Sequence, residues 1–211
     1  GPNKDTDNMY NDFLSCAKTF FPIGDYITIN ISSPNTEGLR NFHEKENLEK
    51  LLIKINEIRK ESNFKKSFLL KISPDLDESS INNIVDLSLK NNINGIILTN
   101  TSDKNRDKLI DNQKNEKGGL SGQPIKDLST KIIKKFYKKL NGKIPIIGVG
   151  GVDSGNAAFE KIAAGASAIQ LYTGMIYKGP MIVKDIKKEL IIKLNEKGFK
   201  NISEAVGSNS N

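Results

Sequence analysis

Tyr26-Ile27-Thr28-Ile29-Asn30-Ile31-Ser32-Ser33-Pro34-Asn35 is the stretch that decides the fold class of this chain. Its first half is an apolar, β-branched run that predicts a buried strand, and its second half is a small polar loop. Proline cannot extend a strand ladder, and serine and asparagine side chains bond locally, so the strand ends where the polar residues begin. Many α/β enzymes keep their chemistry at such strand ends.

Four further segments repeat this pattern of an apolar strand that ends in polar residues or glycine, at residues 68–72, 95–100, 144–151 and 168–173. Helical periodicity between them predicts amphipathic helices over about residues 48–58, 77–90, 128–140 and 156–164. We also expect a first helix capped by Asp5 or Asp7 and a last helix from Pro180 to Lys197. We expect the Gly, Ser and Asn residues that end the segment from Asn201 onward to fray. Strands that alternate with helices and are apolar on both faces predict a parallel sheet covered by helices.

Two α/β architectures fit this alternation. A doubly wound sheet places its ligand at a switch point in the strand order, whereas a (β/α)8 TIM barrel places it at the carboxyl ends of many strands. Because all five predicted strands end in polar residues or glycine, the barrel is favoured. We therefore predict that residues 1–211 form a single domain containing about the last five strands of a β/α barrel.

Composition excludes several classes of protein. The chain has 211 residues, of which 36% are hydrophobic and 27% charged, which suits one sizeable core. Its net charge of +7 is spread among glutamates and forms no dense basic tract, so we expect no nucleic-acid partner. Cys16 is the only cysteine, which excludes an internal disulfide and a multi-cysteine metal site and fits a reducing compartment.

The chain shows no apolar run near the roughly 20 residues that span a bilayer, and no secretory signal pattern. It opens with Gly1-Pro2-Asn3-Lys4-Asp5 and has no initiating methionine. We therefore expect an N-terminal portion to be missing.

Several strand-end residues have a possible chemical role beside an ordinary structural one. Lys71 interrupts an apolar strand, so it either meets an anion or extends its ammonium to solvent. Asn100 offers an amide to a planar polar ligand, or serves a turn. The glycines of residues 118–122 and 148–151 follow successive strands, where backbone amides can approach a phosphate. The pair of clusters favours a phosphate-bearing cofactor.

Ser33 is a candidate nucleophile, or simply a turn residue. His43 is the only histidine and lies in a charged stretch, so we expect no serine–histidine triad. Asp75 and Asp77 are better explained as turn and helix-cap residues than as ligands, and we expect no metal site.

In combination, the motifs resemble those of dihydroorotate dehydrogenase of the quinone-dependent, membrane-associated class. They are residues 30–36, 38–40, 71–76, 99–101, 118–124, 148–151 and 170–174, and the resemblance runs in order from about residue 1 to residue 207. That family is a (β/α)8 barrel that binds FMN and oxidises dihydroorotate to orotate in pyrimidine (UMP) biosynthesis, with a quinone as electron acceptor. Such a set of ordered motifs is far more specific than any single glycine pattern.

The resemblance implies a role for each strand end. Ser33 would be the catalytic base that takes the C5 proton of dihydroorotate while the C6 hydride passes to the flavin. The groups implied to bind dihydroorotate are Asn30, Asn35, Asn100 and Thr101. The groups implied to bind FMN are Asn30, Lys71, Thr99, Gly122, Gly151, Tyr172 and Thr173.

The chain departs from the family pattern at Glu37, where proline is usual, and at Ser73, where alanine is common. Three earlier strands and an amphipathic N-terminal helical pair, which admits quinone from the membrane, are absent from it. The resemblance implies a peripheral protein on the cytoplasmic side of a cell inner membrane, with the mitochondrial inner membrane as the alternative. Two other interpretations stay open: another FMN-dependent barrel oxidoreductase acting on dihydropyrimidines, and an inactive fragment with exposed sheet edges.

Overall fold

The structure is a computed structural model that describes residues 8–104 and 106–210. Its strands are β1 Tyr26–Asn30, β2 Ser67–Ile72, β3 Gly95–Leu98, β4 Ile146–Gly148 and β5 Ala168–Ile169. Its α-helices are α1 Met9–Phe20, α2 Lys45–Glu61, α3 Glu78–Lys90, α4 Lys126–Leu140, α5 Gly155–Ala163, α6 Thr173–Lys178, α7 Ile182–Glu196 and α8 Ile202–Ala205, and short 3-10 helices cover Leu39–His43 and Gln123–Ile125. Within these described ranges, no helix has the length and apolar composition needed to cross a bilayer.

The five strands form one parallel sheet in the order β1-β2-β3-β4-β5. Each strand therefore pairs with the next strand along the chain, with a helix in each connection. A doubly wound sheet would reverse its order at a switch point, whereas sequential order is that of a β/α barrel. The strand order agrees with the predicted partial barrel.

The two faces of the sheet differ in character. One face packs against the helices, and its side chains belong to the main hydrophobic core. They are Ile29, Phe68, Leu70, Ile72, Ile96, Leu98 and Ile146. Side chains alternate along a strand, so the residues between them point to the opposite face. The pairing register places one row of these across the sheet: Asn30, Lys71, Ile97, Ile147 and Ala168.

Several predicted boundaries were wrong. Strand β5 ends at Ile169, not at residue 173, and Thr173 begins the unpredicted helix α6. Strands β3 and β4 also end early, although Thr99 N still donates to Val149 O at 3.1 Å beyond them. Helix α1 is capped by Asn8, whose side chain accepts from Asn11 N, and the proposed caps Asp5 and Asp7 lie outside the described residues.

The prediction that the C-terminal segment frays was also wrong. Helix α8 forms within it, and the chain then lies against the C-terminal end of α5. Gly207 N donates to Ile162 O at 3.0 Å, and Asn209 N donates to Ala163 O at 2.9 Å. Ser210 Oγ donates to Ala164 O at 2.9 Å. Ile162 O also accepts from Gly165 N at 2.8 Å, whereas the carbonyls of Ala163 and Ala164 receive their hydrogen bonds from this tail. Pairing of these helix-end carbonyls is why a polar, glycine-containing tail is ordered here.

Candidate functional site

The carboxyl ends of the strands bring the predicted polar residues to one edge of the sheet. Asn30 is the register partner of Lys71 across β1 and β2. Beyond β3, Asn100 N donates to Ile72 O at 2.8 Å, which places Asn100 beside the end of β2. Residues that lie far apart in the sequence therefore meet because their strands are neighbours.

A cavity of about 460 Å³ opens at this edge. Of the eleven predicted site residues, eight line it: Lys71, Thr99, Asn100, Thr101, Gly122, Gly151, Tyr172 and Thr173. The other three, Asn30, Ser33 and Asn35, do not. The prediction that the strand ends converge on one ligand site is consistent with this geometry.

Two polar groups in the cavity have no hydrogen-bond partner in the part of the chain that the structure describes. The Thr99 hydroxyl is fully buried, and no hydrogen-bond partner exists for it among the described residues. Lys71 is half-buried, and burial lowers the pKa of its ammonium. No residue of the described chain accepts a hydrogen bond from it. A buried polar group without a partner is costly, and the Thr99 hydroxyl and the Lys71 ammonium are therefore the donors that this cavity offers to a ligand.

An amide network fixes the orientation of Asn30. Its Oδ1 accepts hydrogen bonds from Ser32 Oγ at 2.9 Å and from Asn100 Nδ2 at 3.1 Å. Asn100 Nδ2 also donates to Ser32 Oγ at 3.0 Å, and Asn100 Oδ1 accepts from Thr101 N at 2.8 Å. Asn30 thus reaches the cavity wall through Asn100. The sequence reasoning missed Ser32, whose full burial no local pattern shows.

Ser33 lies on the loop after β1, half-buried, with its Oγ accepting a hydrogen bond from Asn35 N at 3.2 Å. This is the turn geometry that loop serines commonly adopt. Asn35 lies along a neighbouring cleft, together with Pro34, Asp103 and Gly118. The loop after β1 therefore borders the cavity region without lining the cavity itself.

The glycine clusters shape the other end of the cavity. Gly122 and Gly151 have φ angles of 75° and 70°, which favour glycine. A Cβ at Gly151 would lie 2.8 Å from Lys126 Cα, so the loop packs tightly on the start of α4. The backbone N–H groups of Gly150 and Gly151 make no hydrogen bond within the described chain. Two neighbouring unpaired N–H groups in a left-handed loop suit an anion.

The walls beside the glycines are held by side chains and by a backbone bridge. Thr173 Oγ1 donates to Ser121 Oγ at 2.9 Å, and the Tyr172 ring is largely exposed. Ser102 and Leu120 exchange two backbone hydrogen bonds of 3.1 and 2.7 Å. The long loop predicted over residues 102–117 is therefore closed at its base by this bridge, where Ser102 is fully buried.

A charged network ties the loops together and was missed by sequence reasoning. Arg40 lies 3.3 Å from Asp75 and 2.7 Å from Asp103, and its Nη2 donates to Thr101 O at 3.2 Å. Asp75 also accepts from Ser102 Oγ at 2.6 Å, and burial raises the pKa of its carboxyl. Asp75 is therefore an ion-pair residue and not only a turn residue. Arg40 and Asp103 are 63 positions apart, a contact that no local spacing indicates.

Two other titratable residues, Asp77 and His43, have structural positions outside the cavity. Asp77 caps α3 as predicted, accepting from Ser80 N at 2.7 Å. His43, which lies in a charged stretch of the sequence, is buried at 7% exposure. Across the described ranges, no group of three or more His, Cys, Asp or Glu side chains could hold a metal ion.

Comparison with known proteins agrees with this geometry. The sequence profile of the family described as Dihydroorotate dehydrogenase matches residues 2–194. A dihydroorotate dehydrogenase (quinone) from Synechocystis sp. is 43% identical over 95% of this chain and 54% of its own length. The mitochondrial dihydroorotate dehydrogenase (quinone) of Mus musculus is 41% identical over 98% of this chain and 53% of its own length.

Comparison with solved structures leads to the same family. The crystal structure of a DHODH from Eimeria tenella in complex with ferulenol superposes with a TM-score of 0.93 at 35% identity, over 99% of this chain and 60% of that one. The ligand-free form superposes with a TM-score of 0.90. The chain thus spans little more than half the length of these curated relatives, and the predicted partial barrel is confirmed. It belongs to the dihydroorotate dehydrogenase family.

Proposed function

We propose that residues 1–211 form a single domain, the C-terminal part of an FMN-binding β/α barrel, in a quinone-dependent dihydroorotate dehydrogenase. The observation that carries this proposal is the cavity in which the Lys71 ammonium and the Thr99 hydroxyl have no hydrogen-bond partner among the described residues. In the proposed reaction, dihydroorotate loses a proton from C5 and a hydride from C6, which creates the C5–C6 double bond of orotate.

The residues present fit FMN. The unpartnered hydroxyl of Thr99 and the ammonium of Lys71 offer donors to a polar ring, and the N–H groups of Gly150 and Gly151 offer donors to a phosphate. FMN, when bound, supplies the acceptor for the hydride. Lys71 is proposed to stabilise the negative charge that arises on reduction, because a cation acts strongly in a partly dry site.

Asn30, Asn35, Asn100 and Thr101 are proposed to bind dihydroorotate. Because Asn30 Oδ1 is occupied by three donors, the amide nitrogen of Asn30 is the group left to face a ligand. No acceptor within the described chain meets that nitrogen. Asn30 is therefore a donor, suited to a carboxylate or ring carbonyl of dihydroorotate.

Ser33 is proposed as the base. Its Oγ accepts one hydrogen bond, from Asn35 N, which would stabilise negative charge as the oxygen loses its own proton to solvent or a relay. A second lone pair remains for the C5 proton. A neutral serine is a weak base, so it depends on closure of the site around the substrate.

Quinone is the proposed final electron acceptor, as the names of the Synechocystis and mouse relatives indicate for those proteins. We propose a peripheral position at an inner membrane, on the cytoplasmic side in a bacterial cell, or at the mitochondrial inner membrane. Contact with that membrane is assigned to an N-terminal segment outside this chain.

Anaerobic mixing of the flavin-loaded protein with dihydroorotate tests the proposal. Loss of flavin absorbance is expected with dihydroorotate and not with dihydrouracil, which lacks the carboxylate. Ser33→Ala is expected to slow this loss by about 100-fold or more, because general-base catalysis is removed. The matched control Ser79→Ala changes an exposed serine on α3 and should react at the parental rate.

Three results would contradict the proposal. Faster reduction by dihydrouracil favours an oxidoreductase acting on other dihydropyrimidines. A Ser33→Ala protein that reacts at the parental rate removes Ser33 from the reaction. A colourless protein that takes up no FMN indicates an inactive fragment.

A further inference from the structure

Lys161 is a buried cation that the proposed reaction does not use. It lies on α5, and its side chain has no solvent exposure. Its Nζ donates to three oxygens around the first turn of α4, namely Thr130 Oγ1 at 3.1 Å, Ser129 Oγ at 3.2 Å and Lys126 O at 3.3 Å. All three donors of the ammonium are therefore satisfied by neutral oxygens.

No carboxylate of the described chain pairs with Lys161. The neighbouring Glu160 pairs instead with Lys126, at 3.1 Å. Burial lowers the pKa of Lys161 to about 8, with Glu160 opposing this shift and Lys126 adding to it. A buried ammonium without a counter-ion is an expensive way to fill a core, since an apolar side chain of similar length would fill the same volume.

Ser129 connects this ammonium to the glycine loop after β4. Because Ser129 Oγ accepts from Lys161, its proton is directed to Val149 O, to which it donates. Val149 O also accepts from Thr99 N at 3.1 Å, so both of its lone pairs are used. The Val149 carbonyl is thus held toward Ser129 and Thr99 by two hydrogen bonds.

The glycines on either side of Val149 bring the loop close to this group. A Cβ at Gly148 would lie 3.3 Å from Lys161 Cβ, and a Cβ at Gly150 would lie 3.0 Å from Ser129 Cβ. With the Val149 carbonyl held toward Ser129 and Thr99, the N–H groups of Gly150 and Gly151 have no acceptor among the described residues, and both glycines border the cavity.

We infer that Lys161 is a positioning residue for a phosphate monoester, acting through Ser129 to fix the Val149 carbonyl and so present the N–H groups of Gly150 and Gly151 to that anion. The inference rests on the proposed FMN site, because the phosphate end of the cofactor is the anion assigned to this loop. The positive charge behind the loop favours the same anion.

The test compares FMN with riboflavin, which lacks the phosphate. Flavin fluorescence gives both dissociation constants for the parental protein, Lys161→Met and the control Lys131→Met, an exposed lysine of α4. Lys161→Met is expected to weaken FMN binding about tenfold or more and riboflavin binding by less than about twofold, because a charge-assisted phosphate site is lost. A lysine that only stabilised the fold would weaken both flavins alike, and that result overturns the inference, as does unchanged FMN affinity.

A second measurement does not depend on flavin. Inorganic phosphate is titrated into the flavin-free protein, and the amide NMR signals of Gly150 and Gly151 are followed. Phosphate is expected to shift these two signals in the parental protein and to leave them unchanged in Lys161→Met. If they do so while no flavin binds, the proposed FMN site fails and this inference stands; if the parental signals stay unmoved, the inference fails whether or not flavin binds.

Ser129→Ala provides a smaller change in case Lys161→Met does not fold. It removes the hydroxyl that links the ammonium to Val149 O, and it leaves the lysine in place. We expect about a fivefold weaker affinity for FMN, from the loss of one ordered hydrogen bond behind the loop, with riboflavin unchanged. Parental FMN affinity in Ser129→Ala overturns the inference.

Discussion

The side-chain amide of Asn100 donates to Asn30 Oδ1 at 3.1 Å, across two strand ends and 70 positions of sequence. This bond, together with those from Ser32, occupies the oxygen of Asn30 and leaves its nitrogen for a ligand. A single amide thus decides whether Asn30 offers a donor or an acceptor. The hydrogen-bonding character of the proposed substrate site follows from that choice.

We predict that Asn100→Ala weakens orotate binding about tenfold or more, because Asn30 loses the partner that orients it and one direct contact is removed. Titration of the flavin-loaded protein with orotate, followed by the change in flavin absorbance, measures the affinity. Asn82→Ala, an exposed position on α3, is the matched control and should bind as the parental protein does. Equal affinities in all three proteins would exclude Asn100 from the site.

Lys71→Met is predicted to slow flavin reduction by dihydroorotate by about tenfold or more, because a cation near developing negative charge is replaced by an apolar group of similar length. Lower retention of flavin after gel filtration is expected as well. Lys65→Met changes an exposed lysine just before β2 and should alter neither property. A Lys71→Met protein with parental flavin content and rate would mean that the ammonium lies outside the reaction.

The buried His43 predicts a pH dependence of stability. Burial, and then the nearby Arg40, lower its pKa from 6.5 to about 4. The unfolded chain therefore binds more protons between these values, so this contribution is complete above about pH 6.5 and is lost as pH falls toward 4. The expected loss between about pH 7 and about pH 5 is about 2 kcal/mol.

Urea unfolding of the parental protein and of His43→Gln at both pH values measures this loss. Glutamine stays neutral throughout, so the variant should lose about 2 kcal/mol less than the parental protein over the same interval. The quantity compared is the change in the free energy of unfolding between the two pH values, in each protein separately. The same loss in both proteins would assign the acid sensitivity to other groups.

Gly207→Ala tests the ordered C-terminal segment. The φ of Gly207 is 76°, and an added Cβ would lie 2.2 Å from Tyr137 Cζ. Gly198 has a similar φ of 77° but nothing within 4 Å of the added atom. We expect about 1 kcal/mol of destabilisation for Gly198→Ala, from backbone strain alone, and about 2 kcal/mol more for Gly207→Ala, from overlap with the ring. Unfolding in urea measures both, and equal values would mean that the segment does not pack on Tyr137.

Local patterns were sufficient to predict the strands and the main helices. The alternation of apolar runs with helical stripes gave the parallel sheet, because strand and helix periodicities are properties of short windows. Strand ends such as Asn100 and Gly151 could be placed near a common cavity, since parallel strands align their carboxyl ends. The family motifs then supplied roles that the residues alone left open.

Contacts between distant segments were not predictable in this way. Arg40 meets Asp75 and Asp103, and Lys161 lies beneath α4, because of how helices pack and not because of any spacing. The ordered tail has the same explanation. Its composition predicts fraying, but it donates hydrogen bonds to the carbonyls of Ala163 and Ala164 at the end of α5. The burial of His43 is a further example, because its charged neighbours Glu44 and Lys45 are exposed while its own ring is buried.

The backbone bridge between Ser102 and Leu120 joins the two ends of the loop formed by residues 102–117. Because the two ends of the loop are fastened to each other, the distance between them does not depend on how many residues connect them. The tip around Ile110, whose side chain is fully exposed, is therefore a natural insertion point. A fluorescent label or affinity tag placed there should report on the protein while leaving the strand-end geometry as it is.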